Sequence, residues 1–343
     1  GKAIFTVGSV DTEDGEDAVS YGFDGQVNFA YTYQLNLNTS FNGDDNLYIR
    51  LKSGNHPKTG ANASKNVYNT YLSAGAAKGD ALKVDKIWYT LPVNERNTVF
   101  IGPQVENYYM HGTTPSIYKS VLKAFTLGGN AAAYGASTSP GAGWKYEADN
   151  GFAVSSNFTT QDGEDTGGML TNDGKTSWAT QVGYTQPQYS VSAIVNMKYN
   201  DWEDSYFTTP KGKDRTYTDG NGSTNIGLRG WWRPEETGGA TPSISVGFDT
   251  SETENSTNSN TNMYFVGLTW QDMFQADDRI GIALGQPQKR EDETTDPFAW
   301  EAYYQFQVND SVSMTPAVFG ASDRNGSADG DITGVVVETT FKF

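Results

Sequence analysis

The 343-residue chain contains no cysteine, so no disulfide staples it and no thiolate takes part in its chemistry. It holds only two histidines, His56 and His111, both in loop-like segments, which leaves little from which to build a nucleophile and base. Positive charge is scarce: 24 Lys and Arg face 41 Asp and Glu, and a net charge of -17 would be repelled by nucleic acid. No run of 18 apolar residues occurs, which excludes a transmembrane helix. That exclusion does not reach a membrane barrel, whose strands alternate and average out as hydrophilic. The first residues carry no signal-peptide pattern, and Gly1 reads as the start of a mature or trimmed chain.

What the chain has in quantity is 38 Gly, 20 Tyr, 17 Phe and 8 Trp, a composition of strands and turns. The clearest alternation runs over 26–41, with Val27, Phe29, Tyr31, Tyr33, Leu35 and Leu37 on one face and Gln26, Asn28, Thr32, Gln34 and Asn36 on the other. Similar period-two stretches fall at 2–10, 47–52, 82–93, 98–103, 141–147, 152–160, 177–185 and 189–200. The remainder are 224–233, 243–250, 262–271, 279–285, 298–308, 311–321 and 334–343, making sixteen strands, an even number that lets the last meet the first antiparallel. In 189–200 the pattern places Val195 toward lipid and Asn196 toward water, so Arg should be harmful at 195 and tolerated at 196. The one helical signal lies in 104–140, the longest connection. There Thr114 caps, Pro115 begins, Ile117, Val121, Leu122 and Phe125 share a side, and Gly128 ends the run.

The connections alternate in length. Those after even strands are brief, with 234–242 the longest, and those after odd strands run from nine residues to nearly forty. The expected fold is therefore all-β: a single transmembrane antiparallel β-barrel over 1–343, with short periplasmic turns and long extracellular loops. The many amides and hydroxyls on the opposing strand faces suit a water-filled lumen and would be costly in a sealed core. The ending Val335-Val-Val-Glu-Thr-Thr-Phe-Lys-Phe343 places Phe341 and Phe343 on the oily face of a strand that needs a partner.

This ending resembles the C-terminal strand of bacterial outer-membrane barrels, whose terminal Phe the barrel-insertion machinery reads. The stretch from Leu37 to Asn55, with its Thr-Ser-Phe-x-Gly turn before a strand carrying inward basic residues, resembles the second hairpin of the cyanobacterial outer-membrane porins. The stretches 83–93 and 99–103 look like that family's fourth and fifth strands. The resemblance implies a passive diffusion channel for small hydrophilic solutes and inorganic ions, a homotrimer in the outer-membrane bilayer, and no cofactor. In porins the third long loop folds into the barrel, which here is 104–140. It also implies an N-terminal surface-layer-homology domain that grips the cell wall, of which this sequence holds none.

On this reading Arg50, Lys52, Lys86, Lys198, Arg229 and Arg233 face the lumen, where they line a constriction favouring anions or stand as wall charges paired with Glu147, Glu301 or loop carboxylates. Tyr108, Tyr109, His111, Lys119 and Lys123 are the polar and aromatic residues expected on the constriction loop, whose alternative is an external lid or a trimer contact. Asp323, Asn325, Asp329 and Asp331 have calcium-like spacing but lack the terminal Glu and flanking helices of an EF-hand. Two other readings compete. A soluble secreted adhesin or lectin would pack its apolar strand faces together, and an outer-membrane barrel enzyme would need a Ser and His arrangement that the sequence does not display.

Overall fold

A computed structural model describes residues 1–12, 25–57, 70–135, 138–161, 163–200, 202, 206–213, 222–254, 259–324 and 331–343. Sixteen strands follow the alternating stretches: β1 (Lys2–Thr12), β2 (Asn28–Thr39), β3 (Asn46–Gly54), β4 (Lys83–Asn94), β5 (Asn97–Glu106), β6 (Thr138–Glu147), β7 (Phe152–Gln161) and β8 (Lys175–Gln186). They continue as β9 (Tyr189–Tyr199), β10 (Gly222–Trp232), β11 (Ser243–Thr253), β12 (Asn260–Gln271), β13 (Arg279–Arg290), β14 (Phe298–Asn309), β15 (Val312–Ser322) and β16 (Ile332–Lys342). Each pairs antiparallel with its sequence neighbours, and β1 pairs with β16 from Lys2 opposite Lys342 to Thr12 opposite Ile332. The ladder is a closed barrel, so every strand has a partner on both sides and no edge is left open.

Short turns gather at one end. In the connection 40–45, the Asp45 carboxylate accepts from Ser40 Oγ at 2.6 Å, from the Phe41 and Asn42 amides at 2.8 and 3.0 Å, and from Tyr89 Oη at 2.5 Å. The Ser40 hydroxyl first, then Tyr89, hold its carboxyl well below the usual carboxylate range. At the other end the expected asymmetry is softer than the sequence indicates. The strands β11 and β13 run on to Thr253 and Arg290, which shortens the connections that follow to 254–259 and 291–297.

Outward residues are apolar or aromatic, as in β9, where Tyr189, Val191, Val195, Met197 and Tyr199 are exposed while Ser190, Ser192, Asn196 and Lys198 are buried. Phe29, Leu91, Ile101, Leu228, Val246, Ile282 and Val335 continue an exposed apolar belt around the wall. A water-soluble surface seldom carries an apolar patch beyond a few hundred Å², so a belt of this extent matches hydrocarbon, not water. Arg in place of Val195 is expected to lower stability by roughly 2–4 kcal/mol in lipid vesicles, read as a lower urea midpoint for unfolding. Asn196 is corrected from the expectation of tolerance. It is fully buried, accepting from Ser177 Oγ at 2.8 Å and donating to the Ala133 carbonyl at 3.2 Å, so Arg has no room there.

The interior is not uniformly polar either. Inward residues of β12 to β16 form an apolar wall of Met263, Phe265, Ala283, Ala299, Tyr303, Ala317, Phe319, Ala321, Ile332 and Val336. Tyr71, Leu72, Tyr118, Val121, Leu122, Phe125 and Phe207, from three long connections, pack against it. Loop backbones interlock over this plug, with Ser73 N donating to Val121 O and Lys123 N to Tyr71 O, both at 2.7 Å, and Phe207 N to Asn130 O at 3.1 Å. Water is therefore left mainly to the side lined by β1 to β6.

The expected helix from Pro115 to Gly128 does not form. Among the described residues of this loop, only Asn107–Met110 and Lys123–Gly128 make 3-10 turns, and the second is broken by a kink at Thr126 and Leu127. The reason is competition for donors: Ile117 N goes to Ser245 Oγ at 3.2 Å, and Val121 N and Leu122 N go to Glu301 at 3.1 and 2.6 Å. Amides bound to the wall are unavailable for a helix, and the apolar residues dock one by one.

Candidate functional site

Among the described residues, cavities of about 590 and about 600 Å³ lie inside the barrel. The first lies toward the long loops, between Lys78, Asp85, Lys86, Gln104, Thr138 and Gln161, and the second toward the short turns, between Gln34, Lys52, Tyr108, Lys119, Lys145 and Glu147. Arg50, Glu106 and Lys123 line both, so the two spaces meet at these three side chains. This meeting point is the neck.

The strands place its charges. Arg50 and Lys52 are on the inward face of β3, and Arg50 donates from Nε to Asp85 Oδ2 at 2.7 Å, with Nη2 on the same oxygen. Asp85 also receives Lys78 Nζ at 3.3 Å. A register shift sits at this point of the β3 and β4 ladder, where Arg50 faces Lys86 but Leu51 faces Val84. The bulge turns Asp85 inward beside Lys86, which strict alternation forbids. Glu106, at the end of β5, follows a second register shift between Gly102 and Val105. It is ion-paired with buried Lys86 and accepts from Thr138 Oγ1 at 3.2 Å.

Lys123 comes from the folded-in loop, with its ammonium 5.4 Å from the Tyr206 ring centroid. Burial, and then the Arg50 guanidinium nearby, push its amine down to about 8. Five cations (Arg50, Lys52, Lys78, Lys86 and Lys123) thus surround two carboxylates, Asp85 and Glu106. The neck is positive inside a chain that is strongly negative overall. Beside it, Tyr48, Trp88, Tyr108 and Tyr109 form an aromatic bank, with Tyr48 and Trp88 centroids 4.5 Å apart and Tyr108 and Tyr109 stacked at 4.9 Å. Lys86 lies 5.6 and 5.8 Å from the Tyr108 and Tyr109 rings, and burial raises the Tyr108 phenol.

The other residues singled out from sequence lie elsewhere. Arg229 is buried in β10, where Nη1 donates to Asp249 Oδ1 at 2.5 Å, Nε to Leu127 O at 2.8 Å and Nη2 to Gly129 O at 2.9 Å. It holds the loop to the wall and lines neither cavity. Gly128 and Gly129 permit this approach, having φ of +72° and +102°, and a Cβ on Gly128 would stand 2.7 Å from Arg229 Cδ. Lys198 is buried 5.4 Å from the Trp202 ring. Arg233 is exposed past the end of β10, donating to Pro187 O at 2.7 Å on the short-turn rim. Lys119 is exposed along the short-turn cavity.

The carboxylates expected as partners also differ. Glu147 pairs with Lys145 at 2.7 Å, while Glu301 is buried and accepts from Tyr118 Oη at 2.9 Å besides the two loop amides. His111 is buried against Asn157, and burial pushes its imidazole down to about 4. His56 takes the Ala76 amide on Nδ1 at 3.2 Å and meets Thr6 Oγ1 at 2.9 Å through Nε2, so a neutral ring latches a loop to β1. Of the calcium candidates, Asp331 accepts from the Asp323 amide at 3.0 Å, and Asn325 and Asp329 lie outside the described residues. Among the described residues no group of three or more metal-ligating side chains occurs.

No protein-family model matches the chain. An uncharacterised protein of Synechocystis is 24% identical over 91% of this chain, which spans only 63% of that relative's length. Solved structures with the same fold include Pseudomonas putida OprB, with a TM-score of 0.65 at 12% identity over 99% of this chain and 93% of that one. Vibrio cholerae OmpT in its trimer form has a TM-score of 0.57 at 11% identity, covering 99% and 97%. A Rh. blastica porin variant has a TM-score of 0.58 at 11% identity, covering 100% and 98%. The fold is that of the bacterial outer-membrane porins.

Proposed function

We propose that the chain is an outer-membrane channel of the cyanobacterial porin type, through which small hydrophilic solutes and inorganic ions diffuse passively without cofactor or catalysis. One observation carries this reading: two polar cavities meet at Arg50, Glu106 and Lys123 inside a closed barrel wrapped by an apolar belt. Residues 1–343 act as a single barrel domain and 104–140 as the constriction element. The outer-membrane bilayer is the belt's partner, and a homotrimer is the assembled state.

In this reading Arg50, Lys52, Lys86 and Lys123 set selectivity, whereas Arg229 and Lys198 support the wall and Arg233 the rim. Charges at the neck act on a passing ion at close range, while mouth carboxylates are screened over about 8 Å at physiological ionic strength. The channel therefore prefers anions. Purified protein in a planar bilayer should give discrete conductance steps, and folded protein that gives no steps would remove the reading. Lys123 contributes to the pH dependence: it is charged below about 8 and neutral above. Raising the pH from about 7 to about 9 should therefore move the reversal potential in a KCl gradient toward cations, and Lys123→Gln should reduce that shift.

A further inference from the structure

The charges at the neck do not cancel one another. Asp85 is taken by Arg50 and Lys78, and Glu106 by Lys86. Among the described residues neither Lys52 nor Lys123 has a carboxylate or a hydrogen-bond acceptor for its ammonium, although both line the short-turn cavity. They come from different elements, β3 and the folded-in loop, and Arg50 stands at the same junction with its guanidinium steadied by Asp85. Two ammonium groups held in no ion pair, beside a guanidinium at the edge of a water-filled space, make up the charge and donors that a doubly charged oxyanion takes up.

We propose that the neck contains a discrete binding site for a divalent tetrahedral oxyanion, of the sulfate and hydrogenphosphate class, with Arg50, Lys52 and Lys123 as its ligands. The site rests on the channel reading and adds to it. A chloride ion satisfies one such group and passes on, whereas an oxyanion offers an acceptor to each of the three and dwells. The aromatic bank, whose Tyr108 lines the same cavity, offers no competing carboxylate. Dwelling anions slow the chloride current, so the site makes itself visible as a block.

The test is chloride current through single channels of the whole chain in KCl, with potassium sulfate added to one side. Sulfate should reduce the current along a saturating curve, while perchlorate, singly charged and tetrahedral, should not at matched ionic strength. In the double variant Lys52→Gln, Lys123→Gln the half-blocking sulfate concentration should rise at least about tenfold, a loss of about 1.4 kcal/mol. In Lys145→Gln, whose lysine is paired with Glu147 on the same cavity wall, the block should persist. A linear, unsaturable effect of sulfate, an equal effect of perchlorate, or a block undiminished in the double variant would each overturn the site. These outcomes are read from an open channel, so they leave the channel reading intact, whereas folded protein without any current would end both.

Discussion

Asp249→Ala is expected to lower stability by about 3–5 kcal/mol, because it leaves the Arg229 guanidinium buried without its carboxylate. Both side chains are 1% exposed, so water cannot replace the lost partner. The same guanidinium holds the carbonyls of Leu127 and Gly129, and its ring contact with Tyr134 is 4.4 Å, so the loop should loosen with it. Urea unfolding from vesicles should show the loss, and conductance steps should become larger and noisier. Adding Arg229→Met should recover part of the stability, since it removes the unpaired buried charge, while the Leu127 and Gly129 carbonyls still lose their donor. A double variant as unstable as the single one would show that the charge pair is not the cause.

Glu301→Ala should have the larger effect on the pore. Its carboxylate collects the Val121 and Leu122 amides and the Tyr118 hydroxyl, and these contacts fix the loop segment that ends at Lys123. Losing an acceptor for three buried donors should weaken that anchorage on the order of 3 kcal/mol. The detached loop would then be about a hundredfold more populated. Single-channel records should show a higher conductance level visited often. Tyr118→Phe removes one of the three bonds, about 1 kcal/mol, and should show the level rarely. Equal behaviour of the two variants, or none in either, would mean that the apolar plug alone holds the loop.

The sixteen strands were readable from sequence because outward positions repeat every second residue, and lipid tolerates few exceptions. Val195 and Trp300 lie outward and Ser192 and Glu301 inward, as alternation requires. The neck was less readable, for a physical reason. Alternation puts Asp85 on the outer face with Ile87 and Tyr89, and only the bulge opposite Arg50 and Leu51 brings it inside. Bulges leave no period-two mark.

The folded-in loop misled in a similar way. Ile117, Val121, Leu122 and Phe125 have helical spacing, yet the segment is held to Ser245 and Glu301, far away in sequence, and long-range acceptors outweigh local propensity. Arg229 has the alternation of a lumen residue but points beneath that loop, and sequence spacing cannot say which lumen positions a loop will cover. Ala317, Phe319 and Ala321 gave the missed signal: an apolar inward face on β15 implies that something packs on it.

Passage of solutes through the neck at Arg50, Glu106 and Lys123 has a direct test, because the chain contains no cysteine. Single cysteines are placed by Lys123→Cys at the neck and by Arg233→Cys on the short-turn rim, and each is treated with a bulky, charged thiol reagent during single-channel recording. Modification of the neck cysteine should cut the current to a small fraction of its starting value, and modification of the rim cysteine should leave most of it. Confirmed labelling at position 123 with the current unchanged, or equal loss at position 233, would show that the conducting path lies elsewhere.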